Sequence, residues 1–183
     1  MRHGKPKIDK NLRVNAEGFG VWVDRYNASG LDHECPPSGL AVERAAQCAF
    51  TVCSDLPRSL ESARALGIEH ADIHDPGFRE MDMPYANWRF PDLPPAVWLV
   101  FFRLAWALGY SSNAESFAAA RERARRCAER LADLASIHGT VLFVGHGSLN
   151  WFIARHLNSM GWSCPSSPPR KYWGFGVYRK QAD

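Results

Sequence analysis

Apolar positions along the chain fall into clusters that switch between two periods. Phe117, Ala120, Ala124, Cys127, Leu131 and Leu134 recur at steps of three and four, which predicts one long amphipathic helix. Ser112 and Glu115 have the spacing of a capping box at its start, and His138-Gly139 ends it. Behind it, Val141 to Val144 reads as a buried strand, followed by a helix carrying Leu149, Phe152, Ile153 and Leu157. Upstream, Leu40, Val42, Ala45 and Ala49 fall roughly on one side of a short helix over Ser38 to Ala49. Phe50 to Cys53 is a β-type run ended by Ser54-Asp55. Pro57 then falls in the first turn of a helix reaching about Leu66, where its missing N–H does no harm.

The most apolar stretch, Ala96 to Leu108, is shorter than the ~18 residues a membrane span requires and is interrupted by Arg103. It predicts a buried or half-buried helix with Trp98, Phe101, Phe102 and Trp106 in the core. Residues 5–35 show no period and read as a long surface loop, whereas Tyr172 to Tyr178 reads as a last, aromatic strand. Strands alternating with helices indicate an α/β sandwich with a largely parallel sheet, in which ligands bind beyond the carboxyl ends of strands.

Composition narrows this picture only a little. The 183 residues fit one domain, 1–183, and 46% apolar with 22% charged residues is ordinary for a globular core. A formal charge of +3 gives no argument for nucleic acid, and none is expected as a partner; nor is a membrane. Five cysteines (Cys35, Cys48, Cys53, Cys127, Cys164) form no CxxC pair and no zinc-type spacing, which predicts reduced thiols in the cytoplasm.

Four short segments carry candidate chemistry. Arg2-His3-Gly4 supplies an imidazole that can attack phosphorus and hold the phosphoryl group, a cation that pairs phosphate bidentately, and a glycine that permits close backbone approach. Arg58 lies in the first turn of its helix, where a cation is unfavourable unless an anion is bound there. Glu80, after Pro76-Gly77 and Phe78, is a carboxylate able to protonate a leaving alkoxide and then deprotonate water. His146 stands between Gly145 and Gly147 at a strand-to-helix turn, with room for an anion at the helix N-terminus. Each residue alone has a bland reading: an idle terminal histidine, a surface arginine, an exposed carboxylate, a packed turn.

In this order, Arg2-His3-Gly4, Ser54-Asp-Leu-Pro-Arg58-Ser-Leu-Glu-Ser-Ala63, Phe78-Arg-Glu80-Met-Asp82 and Val144-Gly-His-Gly147 resemble the motifs of the histidine phosphatase superfamily, the group that includes cofactor-dependent phosphoglycerate mutases. The resemblance extends from residue 2 to about 157. It implies a three-layer αβα sandwich with a mostly parallel sheet, no cofactor and no metal. It also implies catalysis by His3, Glu80, His146, Arg2 and Arg58 through a phosphorylated His3. Arg2, Gly4, Arg58, His146 and Gly147 would bind phosphate. The expected activity is hydrolysis of a small phosphomonoester or of a phosphoprotein. The alternatives are a mutase-type phosphotransferase and an inactive module that binds a phosphorylated ligand or protein. The oligomeric state is not legible. Residues 81–111, with Pro84, Trp88, Pro91, Pro94 and Pro95, read either as a lid or capping insertion over the pocket or as cover for the core. Within it Arg89 and Trp88 are candidates for the pocket, as are Lys5, Asn11, Arg13 and Arg25 before it.

Rival chemistry is weaker. Cys53 and Arg58 evoke a cysteine phosphatase, but four residues intervene and the loop lacks phosphate-cradling glycines. His70, Asp72, His74 and Asp75 could suggest a metal site, yet their setting between a helix end and Pro76-Gly77 is that of a solvated turn. No Walker loop or dinucleotide fingerprint is present. Arg121 to Arg126 reads as a solvated helix face with i, i+4 pairs, and Pro165 to Pro169 as a contact segment for a partner.

The family normally has a hydrophobic strand before Arg-His-Gly, whereas here only Met1 precedes it, so the first strand is read as truncated and Val141 to Val144 as short of a neighbour. The expectation is a start codon assigned too late. An in-frame stop directly before Met1 in the upstream DNA, with no earlier start, would end that idea.

Overall fold

The structure is a computed structural model and describes residues 1–164 and 171–180. In chain order the helices are α1 (Ala16–Ala28), α2 (Gly39–Ala46), α3 (Pro57–Ala65), α4 (Pro95–Ala107), α5 (Phe117–His138) and α6 (Gly147–Ser159). The strands are β1 (Phe50–Cys53), β2 (Ile73–His74), β3 (Val141–Val144), β4 (Trp162–Ser163) and β5 (Arg179–Lys180). These elements group into two compact units. One comprises Met1–Pro6, Gly30–Glu80 and Arg123–Asp183, the other Lys7–Ser29 and Met81–Glu122.

The first unit is built on a parallel sheet of order β2-β1-β3, flanked by helices. Val52, Cys53, Leu142 and Val144 are buried, because a sheet covered on both faces leaves no water-facing side. Ala41 and Ala45 of α2 and Ala63 and Leu66 around the end of α3 join Cys53, Leu142 and Val144 in one core cluster. The small alanines let the helices lie close to the strands. Cys53 stands opposite Val144 in the register. The turns leading to α3 and α6 therefore leave the sheet side by side, and these turns carry Ser54 and His146.

Residues 1–3 run along the end of β3. Arg2 bridges Gly145 in parallel, and the Met1 amine donates to the Phe143 carbonyl at 2.6 Å. On its other side the Arg2 N–H donates to the Gly174 carbonyl at 2.8 Å. Further back along β3, a cavity of about 560 Å³ is lined by Val141 and Phe143, by Ala132 and Leu157 of the helices, and by Val177. Among the described residues no strand pairs with β3 on that side beyond this bridge.

In the second unit α1 packs on α4 through aromatic rings. Phe19 stacks on Trp22 at 5.9 Å and on Phe102 at 5.6 Å, and Trp98 stacks on Phe102 at 5.4 Å. The indole N–H groups of Trp22 and Trp98 donate to the carbonyls of Asp9 and Val14, so neither is buried unpaired.

Several expectations need correction. The expected loop over residues 5–35 contains α1, capped by Asn15, whose side chain accepts from the Gly18 N–H. Phe19, Trp22, Val23 and Tyr26 form its apolar stripe, and Gly18, Gly20 and the neighbouring charges hide it in the sequence. Gly20 is needed there because a Cβ would lie 2.7 Å from the Tyr85 ring. The cap of α5 is Ser116, which accepts from Ala119, while Ser112 accepts from Asn113 and Glu115 pairs with the Asp82 backbone. Residues 172–178 form no strand; the short pairing near the C-terminus is antiparallel β4 with β5. In α2 the buried positions are Ala41 and Ala45, and Leu40 is 54% exposed. Phe101 is 45% exposed, on the outer side of α4, whereas Trp98, Phe102 and Trp106 are buried. The stretch around His70 to Asp75 is not simply a turn, since Ile73 and His74 pair with Val52 and Cys53. In the arginine run, Arg125 pairs with Glu129, but Arg123 turns inward to the carbonyls of Gly77 and Arg79. The segment Pro165 to Pro169 lies outside the described residues.

Phe19 makes the ring contacts that join α1 to α4 and has no exposed surface. Phe19→Ala should cost about 3–5 kcal/mol of unfolding free energy, measured by the shift of the denaturant midpoint at constant slope.

Candidate active site

His3, Arg58 and His146 are buried, at 1%, 0% and 0% exposure. They come from three places: the N-terminal segment, the first turn of α3, and the turn after β3. The parallel register brings the last two together, and the Arg2–Gly145 bridge brings in the first. The His3 and His146 ring centroids lie 5.0 Å apart with the planes at 55°.

The His3 tautomer follows from its partner. Nδ1 lies 2.6 Å from the Gly4 carbonyl oxygen, which can only accept, so Nδ1 carries the proton and Nε2 keeps its lone pair. Burial holds the His3 pKa well below the ordinary imidazole value of 6.5, and the neighbouring His146 and Arg58 push it the same way. His146 is lowered likewise, first by burial and then by Arg58 and Arg2. Both rings are therefore neutral at pH 7. His146 Nε2 is 2.7 Å from the Ser54 hydroxyl. Its Nδ1 is buried and has no hydrogen-bond partner among the described residues. Leaving a buried ring nitrogen unsatisfied costs about 1–3 kcal/mol, which a ligand atom could recover.

Around these rings three serines bind the segments to one another. The Gly4 N–H donates to Ser62 Oγ at 2.9 Å, and that hydroxyl donates to the Arg58 carbonyl. The Ser54 N–H donates to Ser59 Oγ at 3.1 Å, and Ser59 donates to the Val144 carbonyl at 2.6 Å. The segment around His3, α3 and β3 are thereby tied into one buried network. Such networks fix geometry when every member is satisfied. Sequence reasoning passed over Ser54, Ser59 and Ser62 as single residues. The available signal was three hydroxyls around a helix start that also places an arginine inward.

Glu80 accepts from the Ser148 and Leu149 N–H groups at 3.2 and 3.0 Å, so its carboxylate sits on the first turn of α6. Arg123 holds the backbone before it through Gly77 and Arg79. Gly147 marks where Arg2 and Glu80 converge: a Cβ there would lie 3.5 Å from the Arg2 guanidinium carbon and 3.7 Å from Glu80 Oε2. At Gly4 a Cβ would run into the Trp173 ring, so the glycine is required by that close approach.

Other candidates have polar partners of their own. Lys5 pairs with Asp32 at 2.6 Å, and Arg13 donates to the Asp92 carbonyl. Arg89 is 3.6 Å from Glu17. Asp72 accepts from the Thr51 N–H, and Asp75 from the Gly77 N–H and Arg130, so these carboxylates already serve the backbone and a cation. Burial pushes the Cys53 thiol up to about 11 and it has no exposed surface, which leaves it protonated and inert as a nucleophile.

The family model described as the histidine phosphatase superfamily, branch 1, matches residues 40–169. A mycobacterial glucosyl-3-phosphoglycerate phosphatase solved with VO3 is similar at 22% identity and TM-score 0.54. The match covers 87% of this chain and 80% of that one. A Mycobacterium tuberculosis protein, the product of open reading frame Rv3214, is similar at 16% identity and TM-score 0.51, over 85% and 76% of the two chains. A candidate alpha-ribazole-5′-phosphate phosphatase from Escherichia coli is similar at 20% identity and TM-score 0.50, again over 85% and 76%. No curated protein sequence matches significantly. These solved structures share the phosphoglycerate mutase-like αβα arrangement.

The lowered imidazoles give a stability prediction with a definite sign. Below pH 6.5 the unfolded chain takes up protons that folded His3 and His146 refuse, so the contribution is fully present above that pH and declines as pH falls. Thermal midpoints should drop from pH 7.5 to 5.5, and less steeply in a His3→Asn, His146→Asn double variant.

Proposed function

Since the chain belongs to branch 1 of the histidine phosphatase superfamily, we propose that it is a phosphatase hydrolysing a phosphomonoester through a phosphohistidine at His3. The observation that carries this reading is the pair of buried, neutral imidazoles. One has its lone pair fixed at Nε2 by the Gly4 carbonyl, and the other keeps an unpartnered Nδ1 beside it.

In this mechanism Nε2 of His3 attacks phosphorus in line with the ester oxygen. The P–O bond breaks as the N–P bond forms, and protonated Glu80 gives its proton to the departing alkoxide. Glu80 then takes a proton from water, whose oxygen attacks the phosphohistidine and returns His3 to its starting state with release of inorganic phosphate. Arg2, Arg58 and His146 surround the transferring group. Little covalent work falls to them, since positioned positive charge and hydrogen-bond donors supply most of the stabilisation in phosphoryl transfer. The lowered pKa of His3 keeps its ring nucleophilic below pH 6.5, where an ordinary imidazole is mostly protonated.

The substrate in this reading is a phosphate ester on a small molecule or a protein, in keeping with the phosphatases among the similar structures.

Turnover of a generic aryl phosphate should vanish in His3→Ala and survive EDTA. Arg58→Ala should lose roughly 10²–10³-fold in kcat, about 3 kcal/mol of barrier, by analogy with one lost oxyanion donor. Brief exposure of Glu80→Gln to labelled substrate should trap acid-labile, base-stable label on His3. Activity retained by His3→Ala would refute the route.

A further inference from the structure

The aromatic segment near the C-terminus returns to the nucleophile loop. Two backbone contacts hold it there and a third closes a turn within it. The Arg2 N–H donates to the Gly174 carbonyl at 2.8 Å, the Trp173 N–H approaches the His3 carbonyl at 3.5 Å, and the Gly174 N–H closes a turn onto Lys171 at 3.1 Å. Trp173 covers Gly4, and its indole N–H donates to the Cys35 carbonyl at 2.7 Å. It adopts φ +61, a left-handed conformation that a tryptophan takes only when its surroundings enforce it. The strain is spent on turning Tyr172 toward the site. The Tyr172 ring lies 4.3 Å from the Arg2 guanidinium carbon and its centroid is 5.8 Å from that of His3.

We propose that Tyr172 is a positioning residue: its ring face holds the Arg2 guanidinium in the orientation that phosphate binding uses. This rests on the phosphatase reading above. A free arginine side chain samples many rotamers, and a guanidinium ordered only on ligand arrival loses that freedom at the expense of affinity. A ring face attracts the cation through its quadrupole and, by stacking on the flat guanidinium, also sets its plane. The sequence placed Tyr172 outside every motif, yet the fold sets it against the first of them.

The test compares Tyr172→Phe, which keeps the ring face, with Tyr172→Leu, which removes it. The Arg2 Nε–H resonance should be displaced by the ring current in wild type and Tyr172→Phe, and that displacement should be lost in Tyr172→Leu. Orthovanadate affinity and kcat/KM should stay within about twofold in Tyr172→Phe and fall roughly tenfold in Tyr172→Leu. In an Arg2→Ala background the Leu substitution should cost nothing further, because the group it orients is gone. Equal losses from Phe and Leu, the same loss in both backgrounds, or a gain in kcat/KM from Leu, as expected of an obstructing lid, would each overturn the proposal. A wild-type protein that binds no oxyanion and turns over no phosphate ester would refute the phosphatase reading instead. The Arg2 resonance would still decide whether Tyr172 orients it.

Discussion

Two imidazoles and the Arg58 guanidinium are buried together, with half-buried Arg2 beside them, and much of the surrounding structure answers to that constraint. Burial drives both rings neutral, which removes two cations from a destabilising cluster. The arginines cannot shed their charge, so their backbones and neighbours have to fix them in place. Arg58 is locked by the first turn of α3 and by Ser62 on its carbonyl. Arg2 is pinned by backbone bonds on both sides and covered by an aromatic ring.

The sheet register is the device that makes this assembly possible. With Cys53 beside Val144, two strand-to-helix turns open in the same direction and deliver Ser54 and His146 within hydrogen-bond reach. The carboxylate of Glu80 then occupies N–H donors of α6 that would otherwise point at an incoming anion. Glu80 is thereby held beside Gly147, where the Arg2 guanidinium also converges.

The elements that position the site were largely legible because their signals are local. Val141 to Val144, the proline opening α3 and the helix after Gly147 each announce themselves within a few residues. Helix α1 was not legible, since glycines and polar neighbours break its stripe, and only packing against Trp98 and Phe102 shows which side matters. The aromatic tail failed for the opposite reason: its residues have strong strand propensity, but tertiary contacts with Gly4 and Cys35 override it. The catalytic set could be proposed from motif order. The serine network and Tyr172 could not, because their roles exist only once distant segments have met.

The bonds on either flank of Arg2 and His3 join residues separated by more than a hundred positions, first to Gly145 and then to Gly174. The seat of Arg2 and His3 is therefore shared between two segments far away in the chain, and neither rests on its own neighbours. Local opening at either partner would loosen both residues together, which couples the order of the pocket to the docking of the aromatic tail.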